Sequence, residues 1–308
     1  MVKFSRPYFL LSPLFLFSCG GNKPTDTETN IVIGFPSDYF PPTYNFEDPI
    51  YIDPHYKKLE PVFSEPYWVS ALEMANGEAD INQMLLKHDR SIKFSFPSEA
   101  PDYLPVTILG WAPASQNMVK VSRDIFSKIS QILDVQIEEA DNSSGFNNLS
   151  ISQSIQTVTA GYSYFPNPDY ELGSDIFISK DYSSPVFLNN IRTNYDYEVL
   201  VHEFGHALGL KHPFEGHGDN SSILNSFEDQ TKFTAMSYNE NSATFDSNFR
   251  SLDWMALTKF YGINPNFKSS DDEYFFSDTN GTFIIDGAGQ DKINASLSTD
   301  DIFLDLRP

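Results

Sequence analysis

Residues 202 to 213 read HEFGHALGLKHP, and these types at this spacing can do one kind of chemistry: three imidazoles and a carboxylate can hold a zinc ion and activate its water. His202 and His206 stand at i and i+4, so on a helix they lie one above the other on a single face and can share an ion. Glu203 is turned about 100° away around the same helix, outside that ligand set but within reach of a metal-bound water, where a general base belongs. Gly209 lacks a Cβ and can end the helix in a left-handed conformation, turning the chain back so that His212 becomes the third ligand. Pro213 fixes the backbone just beyond it. Three protein nitrogens leave a fourth position open to water, the arrangement of a catalytic rather than a structural zinc site. A bare HExxH also occurs as two solvated histidines and a surface glutamate, so the weight rests on the complete ordered set. His217, in a Gly-Asp-Asn-Ser loop, reads as a solvated side chain, and His55 and His88 read as isolated surface or core histidines.

The elements that must position these groups emerge from hydrophobic periodicity. A helix-compatible stretch from about Ala71 runs into Ile92-Lys93-Phe94-Ser95-Phe96, whose strict alternation predicts a strand with one buried face. Met118, Val121, Ile125, Ile129 and Ile132 keep helical spacing, and strand-like segments follow around Val135 to Glu139, Ala160 to Tyr164 and Asp175 to Ser179. Beyond the histidine cluster, Leu252, Met255, Ala256 and Phe260 mark a further amphipathic helix that Gly262 can cap. The order is α+β. Residues 31 to about 66 are rich in Pro, Tyr and acidic side chains, so regular structure there is doubtful. The expected organisation is a signal over 1–18, a tether over 19–30, an N-terminal extension (pro-segment or packing arm) over 31–79, a catalytic body over 80–262 and a short β segment over 263–308.

The start of the chain bears on location. Lys3 and Arg6 precede an apolar run from Tyr8 to Phe17 that is too short to span a bilayer, the pattern of an export signal. Leu16-Phe17-Ser18-Cys19-Gly20 resembles the lipobox of bacterial lipoproteins, which implies lipidation of Cys19 and attachment at the cell envelope, at the outer membrane or cell surface. The alternative is an ordinary secretory signal with an incidental cysteine, giving a secreted product. Cys19 is the only cysteine among 308 residues, so no intrachain disulfide can form. The formal charge of −22 disfavours nucleic acid and anionic membrane surfaces as partners, leaving the lipid as the means of membrane attachment. With 27 Phe and 16 Tyr the chain has enough apolar surface for a sizeable core.

Together with Thr234-Ala235-Met236-Ser237-Tyr238, the histidine motif resembles the metzincin metallopeptidases, and the proline after the third histidine resembles their serralysin branch in particular. The resemblance covers about residues 80 to 305. It implies a zincin-like fold: a twisted mixed sheet, a backing helix and a zinc helix beneath. It places Met236 in a turn under the zinc, although a methionine can equally fill a core gap. It makes Tyr238 a further zinc ligand that swings away to hydrogen-bond the tetrahedral intermediate. Ala160-Gly161-Tyr162-Ser163-Tyr164 becomes an exposed edge strand that pairs with an extended peptide substrate, with a covered edge as the plain alternative.

The segment from Asp286 to Asn294 resembles one calcium-binding nonapeptide, with Asp286 in place of the first glycine. Asp272, Asp286, Asp291 and carbonyls near Ala288 would supply the hard oxygens calcium prefers; a Gly-Asp turn between two short strands would look much the same. Serralysins continue into several stacked calcium repeats and a C-terminal secretion signal, whereas this chain stops at Pro308. Export by the general route would make that signal unnecessary; the other reading is truncation. The implied function is a zinc-dependent endopeptidase acting on extracellular polypeptides, with Glu203 taking the proton of the water and passing it to the leaving amine. A catalytically silent relative that serves as a surface-binding module is the alternative, and the presence of Glu203, His202, His206, His212 and Tyr238 together argues against it. A structural surface protein stabilised by metals would not need an open zinc position.

Overall fold

The computed structural model describes residues 17–18, 67–77, 81–82, 84–85, 89–141, 148–156, 159–167, 169–180, 195–239, 248–277 and 283–297. Cys19, the tether, residues 31–66, His55 and His88 lie outside them. The central strand β5 (Asn148–Ser154) is parallel to β2 (Ser91–Ser95) on one side and to β7 (Ile176–Ser179) on the other. β4 (Gln136–Glu139) extends the sheet in parallel beyond β2, and β6 (Gly161–Ser163) runs antiparallel beside β7. Two short pieces complete it. β3 (Ala112–Pro113) pairs antiparallel with the far end of β5, and β1 (Phe17–Ser18) pairs antiparallel with β6. The result is a mixed sheet of a kind that fits a metzincin-like domain.

Strand alternation divides the packing into two layers. Ile92, Phe94, Leu149, Ile151, Ile176 and Ile178 face one way and join the main core. Phe177, between two isoleucines, faces the other way, where it packs with Tyr164 and Leu172 beneath Tyr103, Trp111, Tyr162 and Tyr170. On the core side lies helix α2 (Gln116–Ile132), opened by Ser115, whose Oγ accepts from the Met118 amide at 3.3 Å. It buries Met118, Ile125, Phe126 and Ile129, three of them on the predicted stripe. Phe126 links three elements: its ring stacks on Phe94 of β2 (4.0 Å between centroids) and meets Phe204 of α3 (Tyr195–Ala207) edge-on at 4.8 Å.

Helix α4 (Ser251–Tyr261) ends as expected at Gly262, which sits at φ 79°. Helix α1 (Tyr67–Leu72) lies within the N-terminal extension expected over 31–79, and its Trp68, Val69, Ala71 and Leu72 are buried in the same core as the histidine helix. A second, two-stranded sheet pairs β8 (Glu273–Ser277) in parallel with β9 (Lys292–Leu297), with an irregularity between Phe275 and Ser277. Among the described residues no helix is long and apolar enough to cross a membrane.

Candidate metal centre

Helix α3 carries His202 and His206 on one buried face and stops where the glycine permits it. Its end is a Schellman arrangement: the Leu210 amide donates to the Gly205 carbonyl and the Gly209 amide to the His206 carbonyl, both at 2.9 Å. Gly209 has φ 102°, and a Cβ there would also come within 2.8 Å of Ile81, so both backbone and space demand glycine. The chain then returns His212 to the same point. The three Nε2 atoms lie 3.1 Å from one another in every pair.

The other ring nitrogens decide what those atoms can do. His202 Nδ1 is 2.8 Å from the Ala235 carbonyl, and His206 Nδ1 is 2.7 Å from the Leu210 carbonyl. His212 Nδ1 is 2.6 Å from the Glu215 carboxylate. Each partner can only accept, so each Nδ1 carries the hydrogen and each Nε2 presents a lone pair. Burial holds the rings neutral: it pulls His202 down to about 4, and His206 and His212 well below the ordinary imidazole value. Three lone pairs converging on one point repel each other unless a cation sits among them. Zinc fits, because bonds of about 2.0–2.1 Å at tetrahedral angles separate nitrogens by roughly 3.3 Å. The carboxylate on His212 and the carbonyls on the other two rings are partners of the kind that orient histidines able to hold a metal.

Around this cluster the predicted residues take distinct places. Glu203 is fully buried, and its Oε2 accepts from the Ser163 hydroxyl of β6 at 3.2 Å. Gly161 on the same strand leaves room for it: a Cβ there would lie 2.9 Å from Glu203 Oε1. Tyr238 brings its phenol oxygen to 3.0 Å from His212 Nε2, and its ring lies 5.0 Å from that of Phe214, which stacks on His212. Met236 is buried under α3, where a Cβ on Gly205 would be 2.3 Å from its sulfur. The turn that carries Met236 hangs on Asp253 of α4. That carboxylate, fully buried, accepts from the amides of Ala235 and Arg250 at 2.8 Å and from the Thr234 hydroxyl at 2.6 Å. Arg250 in turn pairs with Glu198 on α3.

The outer side of β6 is not open in this structure but carries β1, a piece of the expected export signal, with Phe17 opposite Ser163 and Ser18 opposite Tyr162, as in the covered alternative. Its side chains are also engaged, with Ala160, Ser163 and Tyr164 buried and Tyr162 stacked on Phe177 at 5.1 Å. An unpaired backbone edge recruits any extended segment within reach, and here it has recruited one from its own chain. Nor is His217 solvated. It is half-buried, its Nδ1 accepts from the Ala75 amide at 2.9 Å, and its ring meets Phe165 at 4.7 Å.

Away from the histidines, Asp272, Asp286 and Asp291 bring carboxylate oxygens within 4.8 Å of one another. Asp291 accepts from the Asp272 amide at 2.9 Å, and Ala288 gives its amide to Asp286 at 3.1 Å. Gly287 and Gly289 permit this turn, since a Cβ on either would fall within 2.4 Å of a backbone oxygen. Sequence reasoning passed over Glu215, Asp253, Lys211, Gly205 and the hydroxyl of Ser163. A glycine inside a helix costs about 1 kcal/mol against alanine, so Gly205 carried a readable packing signal.

In sequence the chain is similar to serralysins. It is 28% identical to a serralysin of Photorhabdus laumondii over 208 residues, which span 60% of this chain and 42% of that protein. Against serralysin C of Dickeya chrysanthemi the identity is 31% over 132 residues, 39% of this chain and 26% of the other. The metallopeptidase AprA of Pseudomonas marginalis is 27% identical over 179 residues, covering 52% and 37%. The matched region thus spans less than half the length of each relative. No family model matches the chain.

Proposed function

We propose that this protein is a zinc-dependent endopeptidase of the serralysin type that cleaves extracellular polypeptides. The observation that carries the reading is the convergence of three Nε2 lone pairs at 3.1 Å, each fixed by a hydrogen bond at the opposite nitrogen. The serralysins and the metallopeptidase similar to this chain support it. His202, His206 and His212 would hold the ion, which supplies Lewis-acid polarisation of a water and of the scissile carbonyl. Glu203, one residue along α3 from His202, removes the proton from the attacking water and delivers it to the departing amine. Its position is held by Ser163, whose hydroxyl lies 3.2 Å from the carboxylate. Tyr238 donates its phenol hydrogen to the carbonyl oxygen as negative charge builds there.

An extended peptide would lie along β6 in the antiparallel sense that Phe17–Ser18 adopts, gaining backbone hydrogen bonds independent of its sequence. Removal of the export signal before Cys19 would clear that edge, and lipid on Cys19 would hold the enzyme at the cell envelope. Calcium at Asp272, Asp286 and Asp291 would tie β8 to β9.

The test combines metal analysis with turnover of an unfolded protein substrate. The wild-type chain is expected to carry one zinc at the histidine cluster, to lose turnover on chelation and to regain it on re-addition. Glu203→Ala should keep zinc and lose about 10²- to 10⁴-fold in rate, the usual yield of general base catalysis. Undiminished turnover in that variant removes the base assignment; turnover that survives complete metal removal removes the whole reading.

A further inference from the structure

Lys211 stands inside the metal-binding motif, bears no part in the chemistry above, and is completely buried, with 0% of its surface exposed. Among the described residues its ammonium reaches backbone carbonyls: Ala71 at 2.5 Å, Glu215 and Ser222 at 2.8 Å, and His212 at 3.2 Å. A carbonyl accepts and cannot donate, so the ammonium is the donor in all four contacts, its three protons shared among four oxygens. Carbonyl oxygens gathered around one positive charge are what proteins offer to a hard metal cation; here the cation is a side chain, tethered one residue from a ligand.

The cage joins two parts of the chain that are far apart in sequence. Ala71 lies in the last turn of α1, a helix with no basic residue of its own in that turn, so Lys211 satisfies a terminal carbonyl. The backbone repeats the connection. Lys211 N donates to the Leu72 carbonyl at 2.7 Å, Met74 N donates to the Gly209 carbonyl at 3.2 Å, and Glu73 bridges Leu210 in antiparallel fashion. Asn220 Nδ2 reaches the Ser70 and Glu73 carbonyls, both at 2.8 Å. The remaining carbonyls in the cage belong to Ser222, to His212 itself and to Glu215, whose carboxylate hydrogen-bonds the His212 ring. One ammonium therefore fixes both the third ligand and that ligand's orienting partner.

We propose that Lys211 is a positioning residue of the metal centre, an internal cation that clamps the His212–Glu215 loop onto α1 and makes residues 67–77 a permanent part of the site. The assignment rests on the reading that the three histidines bind a metal. Without the ammonium, the buried Ala71 and His212 carbonyls and the part-buried Glu215 and Ser222 carbonyls would face one another without this donor, and the loop would relax toward water to replace it. His202 and His206 would stay in place on α3, so the effect falls on the third ligand alone.

The experiment replaces Lys211 by methionine in the full chain, a change that keeps much of the side-chain volume and removes the charge. Zinc affinity is measured by chelator competition, and the ligand field by the visible spectrum of the cobalt(II)-loaded protein. Lys211→Met is expected to bind zinc about 10- to 100-fold more weakly, the loss typical when an orienting partner is removed, with a changed cobalt spectrum. A role confined to general stability would lower the melting temperature and leave both readouts at wild-type values, and that result overturns the proposal. A second measurement needs no variant: hydrogen exchange of the wild-type chain with and without zinc. Residues 70–75 and 209–222 should slow together on zinc loading; if 70–75 ignore the metal, the clamp is refuted even where Lys211→Met fails to fold. A wild-type chain that takes up no zinc at all would overturn the metal centre, and this assignment with it.

Discussion

His202 owes its tautomer to the Ala235 carbonyl, and Ala235 owes its position to Asp253. The carboxylate takes the Ala235 amide at 2.8 Å while the Ala235 carbonyl takes the His202 ring hydrogen at 2.8 Å, so a buried carboxylate on α4 is connected to the His202 ring through one residue. Replacing Asp253 by alanine would strand the Thr234 hydroxyl and two amides without their acceptor. We expect Asp253→Ala to cost about 2–4 kcal/mol in denaturant unfolding, the range for buried donors left unpaired next to a charge. It should also weaken zinc binding in a chelator titration, and a variant that matched wild type in both would remove the anchor. At this scale the sequence is legible where geometry is local. The i, i+4 pair and the left-handed Gly209 follow from helix rules alone. Asp253, Glu215 and Lys211 act through partners that folding supplies, and nothing in their immediate neighbours announces that.

Among elements, α3 is decisive because two glycines bring it close to what flanks it. Gly205 lets the Met236 sulfur sit where a Cβ would be 2.3 Å away, and Gly161 lets β6 approach Glu203. Gly205→Ala tests the first contact. Helix propensity alone would favour alanine by about 1 kcal/mol, whereas overpacking a closed core costs about 1–3 kcal/mol. The second effect should win, and thermal unfolding should show a lower midpoint; a higher one would mean that the turn yields easily. The strands around Ile92, Ile137, Tyr162 and Phe177 were legible from alternation or apolar runs. The central strand β5 was not among the expected ones. Its Leu149 and Ile151 alternate as a strand should, but the serines between them suggest a wet face, and in the fold Ser150, Ser152 and Ser154 are all buried. Helix α1 was placed late because its own apolar residues span little more than one turn, and its end is completed by the distant Lys211.

The whole molecule is acidic, with a charge of −22, yet its histidine cluster lies where protons are unwelcome. An exposed imidazole starts to exchange metal for protons as the pH falls through about 6.5. Burial lowers the folded-state values here, to about 4 for His202 and in the same direction for its two neighbours. A lowered value means fewer protons bound at any given pH, so zinc affinity should hold nearly level from neutrality down to about pH 5 and fall steeply only as pH 4 is approached. Equilibrium zinc titrations across that range check the sign, and a decline centred near pH 6.5 would show rings open to solvent. The grip on α3 has its own corollary for how a guest is received. With a strand pressed to one flank of the helix and a thioether to another, the post bearing His202 and His206 has no slack to give. Phe214 and Tyr238 keep 36% and 42% of their surface in solvent, so accommodation of a bulky visitor falls to this aromatic lip and leaves the helix where it stands.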